Sequence, residues 1–286
     1  MAVVNTNISA SIAQSALAKN ERALADAMEQ LSTGKKINSA SDNAAGLAIS
    51  TRMTSQIRGI DQAILNGHDA VSMISTAEGA LDEITAMLQR IRELALQSGT
   101  GTTDSSDRSY LNAEFQELLL EIDRIADNTQ WNGRDILDGT AGGGNSLVSY
   151  QVGVNPSQTV SLAFGNFTNA GVGVMASLST QYLSTATVAS AIARSSNVIL
   201  AADVAIEAVS TQRATFGAAT NRLTHAIDNL TNVLINAEAT RSRILDTDYA
   251  AATSELARTQ IIQQAGTAML AQANQLPSSV LQLLQN

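Results

Sequence analysis

The sequence predicts a mainly α-helical protein, a nested antiparallel bundle of long coiled-coil helices with a small β-hairpin in the middle of the chain. Aromatic residues make up 3% of the 286 residues, so the core must be built from Ala, Ile, Leu, Val and Met, which suit helices. Only Pro156 and Pro277 could interrupt a helix. Two long segments also repeat apolar residues at alternating spacings of three and four, which is the heptad pattern of coiled coils.

The first predicted segment, residues 1–41, contains a helix from about Asn5 to Leu31. Its opening, "MAVVNTNISASIAQSALA", has no charged side chain before Lys19. Chain termini are usually solvated and charged. This terminus is therefore predicted to be buried, either within the chain or against other copies.

The second segment, residues 42–139, begins with a long helix that Ser41 or Asp42 can cap and that Gly99 and Gly101 end. A continuous helix from Asp42 to Gln97 would be about 80 Å long. Gly67 and Glu78 interrupt its apolar seam. The seam residues are Ile57, Ile60, Ile64, Val71, Ile74, Leu81, Ile84, Leu88 and Ile91. A shorter helix from about Asp107 to Asp127 and a loop around Trp131 complete the segment.

The middle segment, residues 140–185, differs in composition from the rest. Short β-type runs flank the turn signal "NPSQ" and predict a hairpin from about Leu147 to Phe164. The stretch that follows, to about Ser184, is rich in Gly, Ser and Thr and is predicted to be irregular.

A second long seam lies in residues 186–244, with polar interruptions at Ser195, Arg213 and Thr220. Its apolar members are Ile192, Ile199, Ile206, Val209, Phe216, Leu223, Ile227, Leu230 and Leu234. The last segment, residues 245–286, is predicted to hold a helix from about Tyr249 to Leu284. From Thr259 to Asn286 it has no charged side chain.

The order of these segments predicts a chain that goes out and returns, pairing outer helices with outer and inner with inner. A closed bundle does not need charge-free ends. The ends are therefore expected to be covered by each other, by other copies, or by both.

Composition excludes several functional classes. The formal net charge is -9 and no basic stripe is present, which argues against nucleic-acid binding. Without cysteine there is no disulfide framework, thiolate metal site or Cys nucleophile. No signal peptide or membrane-spanning stretch is predicted.

Motifs for catalysis are also missing from the sequence. No HExxH, GxSxG, P-loop or dinucleotide fingerprint appears, so no enzyme activity, metal or cofactor is predicted. His68 and His225 are interpreted as polar residues on helix faces.

Several long motifs resemble bacterial flagellin. They are "LSTGKKINSASDNAAGLAISTRM" from Leu31 to Met53, "AEGALDEITAMLQRIRELALQS", "EIDRIADNTQWNGRDIL", "ATRSRILDTDYAAATSELARTQI" and "QQAGTAMLAQANQLPSSVLQLL". The resemblance covers nearly the whole chain. Because its centre is short, the chain resembles a minimal flagellin with almost no outer domain.

The resemblance implies a structural subunit of the flagellar filament, a supercoiled propeller for swimming. In that family the terminal segments are unstructured in the free monomer and form a coaxial helical pair in the filament core, which the rod helices surround. The residues assigned to core packing are Ile8, Ile12, Leu24, Leu31, Ile261, Ile262, Met269, Leu270, Leu276, Val280, Leu281 and Leu284. The implied location is extracellular, reached through the flagellar type III export apparatus without a cleaved signal peptide.

The resemblance also implies partners. They are other copies of the chain, the hook–filament junction and filament cap proteins, and an export chaperone that binds the C-terminal segment. "LQRIRELALQ" resembles the segment recognised by the vertebrate Toll-like receptor for flagellin, which implies contacts through Gln89, Arg90, Leu94 and Glu114. Because Arg90 lies off the seam, its guanidinium is expected to be free for an acceptor.

Two alternatives remain open. A hook–filament junction protein would share the nested plan, although "INSASDNAAGLAIS" and "QQAGTAMLAQANQ" favour the filament subunit. An enzyme on a helical scaffold is the alternative from another class, and the missing catalytic motifs argue against it.

Overall fold

The computed structural model describes residues 7–144, 146–168, 175–183 and 187–284, and side chains as far as residue 275. The chain divides into two compact units. Unit 1 comprises Met1–Ile57 and Ile235–Asn286, and unit 2 comprises Arg58–Leu234. These divisions fall within the two longest helices, whereas the predicted segments divide at residues 41 and 245.

The described residues confirm a mainly α-helical fold. The long helices are α1 (Ile8–Thr33), α2 (Ala40–Ser98), α3 (Ser105–Asn128), α5 (Val188–Leu245) and α6 (Tyr249–Leu284). A short helix, α4 (Ala176–Ser179), lies between α3 and α5. The limits of α6 agree with the prediction.

The start of the long helix α2 differs from the prediction. Asn43 has non-helical dihedrals (φ -164, ψ 97) and its Oδ1 accepts a hydrogen bond from Gly46 N at 2.8 Å. Asp42 instead closes the preceding turn, where its Oδ2 accepts from the Ser39 and Asn38 amides at 2.9 Å. These bonds lower the pKa of Asp42. The continuous helix is therefore capped by Asn43 rather than by Ser41 or Asp42.

Helix α3 begins at Ser105, slightly before the predicted Asp107. The Asp104 side chain accepts from the Asp107 amide, and the Asp107 side chain accepts from the Asp104 amide, which makes a reciprocal capping box. The bonds from Asp107 and Ser106 lower the pKa of Asp104.

The predicted hairpin is confirmed. Strand β3 (Leu147–Gln151) pairs antiparallel with β4 (Thr159–Ala163). The structure also contains a smaller hairpin that was not predicted. In it, β1 (Gln130–Trp131) pairs with β2 (Arg134–Asp135). The helix α4 lies in the stretch predicted to be irregular, of which residues 169–174 and 184–185 are outside the described part.

Helices α2 and α5 run antiparallel in unit 2, with small residues at the crossing contacts. A β-carbon added at Gly67 would lie 2.9 Å from Ile227 Cγ1, and one at Gly99 would lie 2.5 Å from Ser195 Oγ. Both glycines are therefore needed for the approach of the facing helix. The predicted seam interruption at Gly67 is thus a packing position.

The long seams supply much of the buried surface. The α2 seam residues that are at most 4% exposed are Ile57, Ile60, Ile74, Leu81, Ile84, Leu88 and Ile91, whereas Ile64 and Val71 are half-buried. In α5, Val209, Phe216 and Leu223 are buried. The α5 residues that are half-buried are Ile199, Ile206, Ile227, Leu230 and Leu234.

The assignment of Ile192 to the seam is wrong, because its side chain is 49% exposed. Ala191, Ser195 and Val198 are the buried residues at this end of α5. The close approach to Gly99 leaves room only for small side chains, so the larger Ile192 is turned outward.

The hairpin is attached to both long helices of unit 2. The rings of Phe164 and Phe216 lie 5.1 Å apart, and Gln212 Nε2 donates to Ala163 O at 2.8 Å. On the α2 side, Asn66 Nδ2 donates to Gln151 O at 3.0 Å.

The prediction that no stretch is apolar enough to cross a membrane is wrong. Helix α5 contains an 18-residue window of mean hydropathy 1.3. By length and composition alone, this helix could cross a membrane. Its apolar residues include Val198, Ala202 and Ala205, which are buried in the core of unit 2. Core packing accounts for part of this hydropathy.

Candidate assembly surfaces

Unit 1 contains an antiparallel pair formed by α1 and α6. Asn7 Nδ2 donates to Ala273 O at 2.7 Å, and Asn20 Nδ2 donates to Thr259 O at 2.8 Å. Between these contacts, a β-carbon at Gly266 would lie 3.2 Å from Leu17 Cδ1. Each helix therefore turns one continuous face towards the other.

That shared face repeats at alternating spacings of three and four and consists largely of small residues. On α1 it comprises Ala10, Ala13, Leu17, Asn20, Leu24, Ala27 and Leu31. On α6 it comprises Ala252, Leu256, Thr259, Gln263, Gly266, Leu270 and Ala273. Small side chains allow the two helices to approach closely, but each one buries little apolar area.

Larger apolar side chains lie on the outside of this pair. We call Ile8, Ile12, Ile261, Ile262 and Met269 the outward set; these residues are 59%, 65%, 67%, 45% and 65% exposed, respectively. Isolated exposed apolar residues are ordinary, whereas several on one charge-poor pair indicate a surface that another molecule covers.

The predicted core-packing residues therefore divide into two groups. The outward set is available to other molecules. Leu24, Leu31 and Leu270 are half-buried on the shared face and contribute to packing within the chain. The side chains of Leu276, Val280, Leu281 and Leu284 lie outside the described part.

The connections at one end of the pair are joined by main-chain hydrogen bonds. Lys36 N donates to Leu245 O at 2.7 Å, and Thr247 N donates to Gly34 O at 3.0 Å. Gly34 ends α1 with φ 69, a conformation that favours glycine. The turns that follow α1 and precede α6 are thereby fixed to each other.

Charge is divided unequally between the units. Basic and acidic side chains balance in unit 1, so unit 2 carries the whole formal net charge of -9. A unit without net charge can pack closely with copies of itself, whereas the acidic unit repels its copies and is suited to solvent.

The predicted receptor-contact residues lie on α2 and α3 of unit 2. Arg90 forms ion pairs with Glu114 at 2.8 Å and with Glu93 at 3.1 Å. The hydrogen bond to Glu114, followed by that to Glu93, raises the pKa of Arg90. The expectation that its guanidinium is free is therefore wrong, although the side chain remains 48% exposed.

Leu94 cannot make the contact that the sequence assigned to it. Its exposed fraction is 0% and it belongs to the core of unit 2. Gln89, Arg90 and Glu114 are exposed. Of the four residues predicted to contact the receptor, only these three polar residues are exposed.

Neither histidine belongs to a reactive cluster in the described part of the chain. His68 and His225 are both exposed on helices, and no group of three or more His, Cys, Asp or Glu in the described residues could hold a metal.

Comparison with known families decides the relationship. Residues 4–142 match the bacterial flagellin N-terminal helical region, and residues 199–284 match the bacterial flagellin C-terminal helical region. The chain belongs to the bacterial flagellin family. The resemblance noted in the motifs is thereby confirmed.

Full-length flagellins of other bacteria are similar over nearly their whole length. The chain is 44% identical over 285 residues to the flagellin of Halalkalibacterium halodurans, covering 99% of both chains. It is 41% identical over 301 residues to that of Bacillus subtilis, covering 98% of this chain and 99% of the relative. These relatives share the short centre that is typical of a minimal flagellin.

A solved structure shares the fold. A putative flagellar hook-associated protein from Vibrio parahaemolyticus superposes with a TM-score of 0.58 at 17% identity, covering 72% of this chain and 100% of that one. Crystallised Bacillus cereus flagellin is 31% identical, with a TM-score of 0.48, over 58% of this chain and 88% of that one. The fold of this chain is thus shared with a hook-associated protein.

Sequence reasoning missed several polar contacts of these helices. Asn7 and Asn20 had no assigned role, and Glu93 was not recognised as a second partner of Arg90. The spacing of Asn20 within the α1 pattern was the available signal, because a buried Asn at a seam position usually has a specific partner.

Proposed function

We propose that the chain is the structural subunit of a bacterial flagellar filament. The observation that carries the proposal is the outward set, large apolar side chains on a charge-poor helical pair. Family membership supports it, as does the similarity to a Treponema phagedenis protein named a flagellar filament core protein, which is 39% identical over 288 residues. Residues 1–41 and 245–286 would form the filament core, and 42–139 and 186–244 the rod.

The proposed mechanism is mechanical rather than catalytic. Copies bind head to tail through non-identical surfaces, and a contact of that kind does not close on itself but generates a helix. Burying an Ile or Met side chain contributes about 1.5–3 kcal/mol, and each copy repeats the gain. The acidic unit 2 would remain towards solvent, where its charge keeps the polymer dispersed.

Deletion of Thr259–Asn286 tests the proposal. The truncated chain should not polymerise, because α6 loses much of the shared face and of the outward set. Its far-ultraviolet circular dichroism should retain the helices of unit 2. Normal filaments from the truncated chain in electron micrographs would show that this segment is not part of the assembly surface.

Further partners and the route to the cell exterior belong to the same proposal. They are the hook–filament junction and cap proteins at the filament ends, and an export chaperone on the C-terminal segment that delivers the chain to type III export. The alternative function is that of a junction protein, since this chain shares its fold with the putative hook-associated protein from Vibrio parahaemolyticus. Copy number per flagellum separates the two, thousands for a filament subunit against one ring.

We also propose that the free chain is recognised by the vertebrate Toll-like receptor for flagellin through Gln89, Arg90 and Glu114. The support is the exposed polar surface of α2 and α3 and the motif resemblance. Arg90→Asp should reduce signalling in a receptor reporter assay, since it removes the cation and places a carboxylate beside Glu114. Arg222→Asp, the same change at an exposed arginine of α5, is the control. An unchanged dose response for Arg90→Asp would contradict this contact.

A further inference from the structure

The surface of α1 that faces directly away from α6 is a continuous exposed stripe. Its residues follow one another at alternating spacings of four and three. Each residue from Ile12 onward lies two positions beyond a residue of the shared face, which is about 200° around a helix of 3.6 residues per turn. We call it the outer stripe of α1, and its members, all exposed, are Ile8, Ile12, Ser15, Lys19, Arg22, Asp26 and Glu29.

The charged residues of the outer stripe are sorted by sign. Lys19 and Arg22 form a cationic pair. Asp26 and Glu29 form an anionic pair, whose centre lies about 10 Å further along the helix axis. Within the described part of the chain, none of these four side chains forms an ion pair. The stripe is therefore neutral in total and carries four charges without partners.

A recess opens beside the anionic pair. It has a volume of about 460 Å³ and lies between the end of α1, the turn that follows, the start of α2 and the end of α5, all within unit 1. The residues that line it include three carboxylates, Asp26, Glu29 and Asp42, and one cation, Lys36. The recess is therefore anionic, and it is large enough for a long basic side chain.

The other contacts of the recess indicate what can fill it. The carboxylate of Asp42 already accepts hydrogen bonds from the Asn38 and Ser39 amides, so the anionic pair supplies the free acceptors. Ile37 and Ile244 also line the recess, and apolar side chains suit the methylene stem of Lys or Arg. A cationic side chain therefore fits this recess better than an apolar or acidic one.

We propose that the outer stripe is an interface between copies of the chain, in which the cationic pair of one copy enters the recess beside the anionic pair of the next. This inference rests on the proposed filament function, which places α1 in the core, where a charge without a partner is unfavourable. Another copy supplies two cations for two carboxylates, and both pairs have the same spacing of three residues. The stripe also continues into the outward set at Ile8 and Ile12.

The contact sets the register between neighbouring copies. Its two surfaces are different, so the cationic pair of the second copy remains free for a third, and the contact does not close on itself. Apolar burial is non-directional and selects poorly among shifted positions. A shift that brings like charges together is unfavourable, so the four charged residues restrict the arrangement of the copies.

Charge reversal in the full-length chain tests this pairing. Lys19→Glu with Arg22→Glu makes the stripe wholly acidic, and Asp26→Lys with Glu29→Lys makes it wholly basic. Each variant alone should raise the critical concentration for polymerisation by about tenfold or more, because like charges meet. An equimolar mixture of the two should polymerise, and so should a chain with all four substitutions. Glu21→Lys, at an exposed residue of α1 outside the stripe, is the control and should polymerise as the unchanged chain does.

Cross-linking of filaments shows which chains are joined. Within one chain, Lys19 lies about 10 Å from Asp26 and about 15 Å from Glu29 along α1, too far for a direct amide bond. A carbodiimide should therefore link Lys19 to either carboxylate of another chain, as mass spectrometry of the peptides would show. Denaturing gels should contain a ladder of products larger than the dimer. Lys19→Arg keeps the charge without the amine, so it should polymerise and lose this cross-link.

Three results would overturn the proposal. Unchanged critical concentrations for both double variants would show that the stripe is not an interface. If neither the mixture nor the chain with four substitutions polymerises, the charges act within one chain. Cross-linked products that stop at the dimer would show a closed contact. Failure of the unchanged chain to polymerise would instead contradict the filament function, and association of the mixed variants in sedimentation, absent for each alone, would still support the pairing.

Discussion

Arg213 of α5 places Nη1 2.9 Å from Asp82 Oδ1 of α2, and its Nη2 lies 3.9 Å from Glu78 Oε1. Glu78 and Arg213 are the charged interruptions of the two apolar seams. They face each other across the antiparallel pair, so a charged residue in one seam is matched by an opposite charge in the other. The interruptions are therefore compatible with coiled-coil packing.

The first prediction concerns the strength of this contact. The side chains of Arg213, Glu78 and Asp82 are 35%, 49% and 69% exposed, so each ion pair contributes only about 0–1 kcal/mol. Arg213→Leu should change the free energy of unfolding by about 1 kcal/mol or less, since added apolar packing offsets the lost pair.

Arg213→Glu is the matched variant. It places three carboxylates together and should lower the melting temperature clearly below that of Arg213→Leu. Thermal unfolding followed by circular dichroism at low and high salt measures both, and added salt should reduce the difference. Equal melting temperatures at low salt would mean that charge does not contribute here.

The second prediction separates assembly from packing within the chain, using two adjacent residues of α6. Met269 is 65% exposed, whereas Leu270 is half-buried on the shared face with α1. Met269→Asp should block polymerisation and leave the pairing of α1 with α6 unchanged. Leu270→Asp should weaken both, because a carboxylate at the shared face loses solvation.

The two variants are compared by electron microscopy for filaments and by hydrogen exchange of α1 and α6 under polymerising conditions. The division of the apolar residues into outward and shared faces predicts different exchange for the two. Indistinguishable exchange profiles would contradict the described orientation of α6.

Much of the fold could be predicted because the heptad spacing of Ile, Leu and Val is long and regular. The prediction failed where small residues decide the packing. Ile192 was selected for its size, yet the approach at Gly99 buries Ala191 and Ser195 instead. On the shared face of α1 and α6, the prediction named only Leu24, Leu31 and Leu270 and missed the small residues, since Ala and Gly carry little hydrophobic signal.

Local hydrogen bonding limited the prediction in other places. Any of several residues in "NSASDN" could cap α2, and sequence alone does not show that Asp42 is occupied by the Asn38 and Ser39 amides. The β1–β2 hairpin had a recognisable signal in Asn132 and Gly133, whose φ values are 51 and 74. Asn-Gly favours this kind of two-residue turn.

The third prediction concerns pH and Asp127 at the end of α3. Partial desolvation, and then the charges of Asp123, Asp138 and Asp135, raises the pKa of Asp127, although its side chain is exposed. A raised folded pKa means that the ionised carboxylate is less favourable in the folded chain than in the unfolded chain. At pH 7 it therefore destabilises the fold, and this effect disappears as pH falls below the unfolded pKa of about 4.

Asp127→Asn should accordingly raise the melting temperature at pH 7, and the gain should vanish near pH 3. Glu117→Gln removes one negative charge elsewhere on α3 and serves as the control for net charge. A gain that persists at pH 3, or that Glu117→Gln reproduces, would show that the carboxylate cluster is not its cause.

The last prediction concerns alkaline pH and Tyr150 in the hairpin. Its hydroxyl donates to Met73 Sδ at 2.7 Å, and burial raises the pKa of Tyr150 to about 12. The neutral phenol is therefore favoured in the folded chain. Its stabilising contribution is fully present below the unfolded pKa of about 10 and is lost as pH rises towards 12.

Tyr150→Phe removes the hydrogen bond and should cost about 1 kcal/mol at pH 7. Because Phe has no proton to lose, the variant should be less sensitive to alkali, and the deficit should shrink or reverse between about pH 10 and 12. Tyr110→Phe, at a tyrosine that is 76% exposed, is the matched control. Urea unfolding at pH 7 and at pH 11 measures each variant, and a deficit for Tyr150→Phe that stays constant over this range would contradict a buried, neutral phenol.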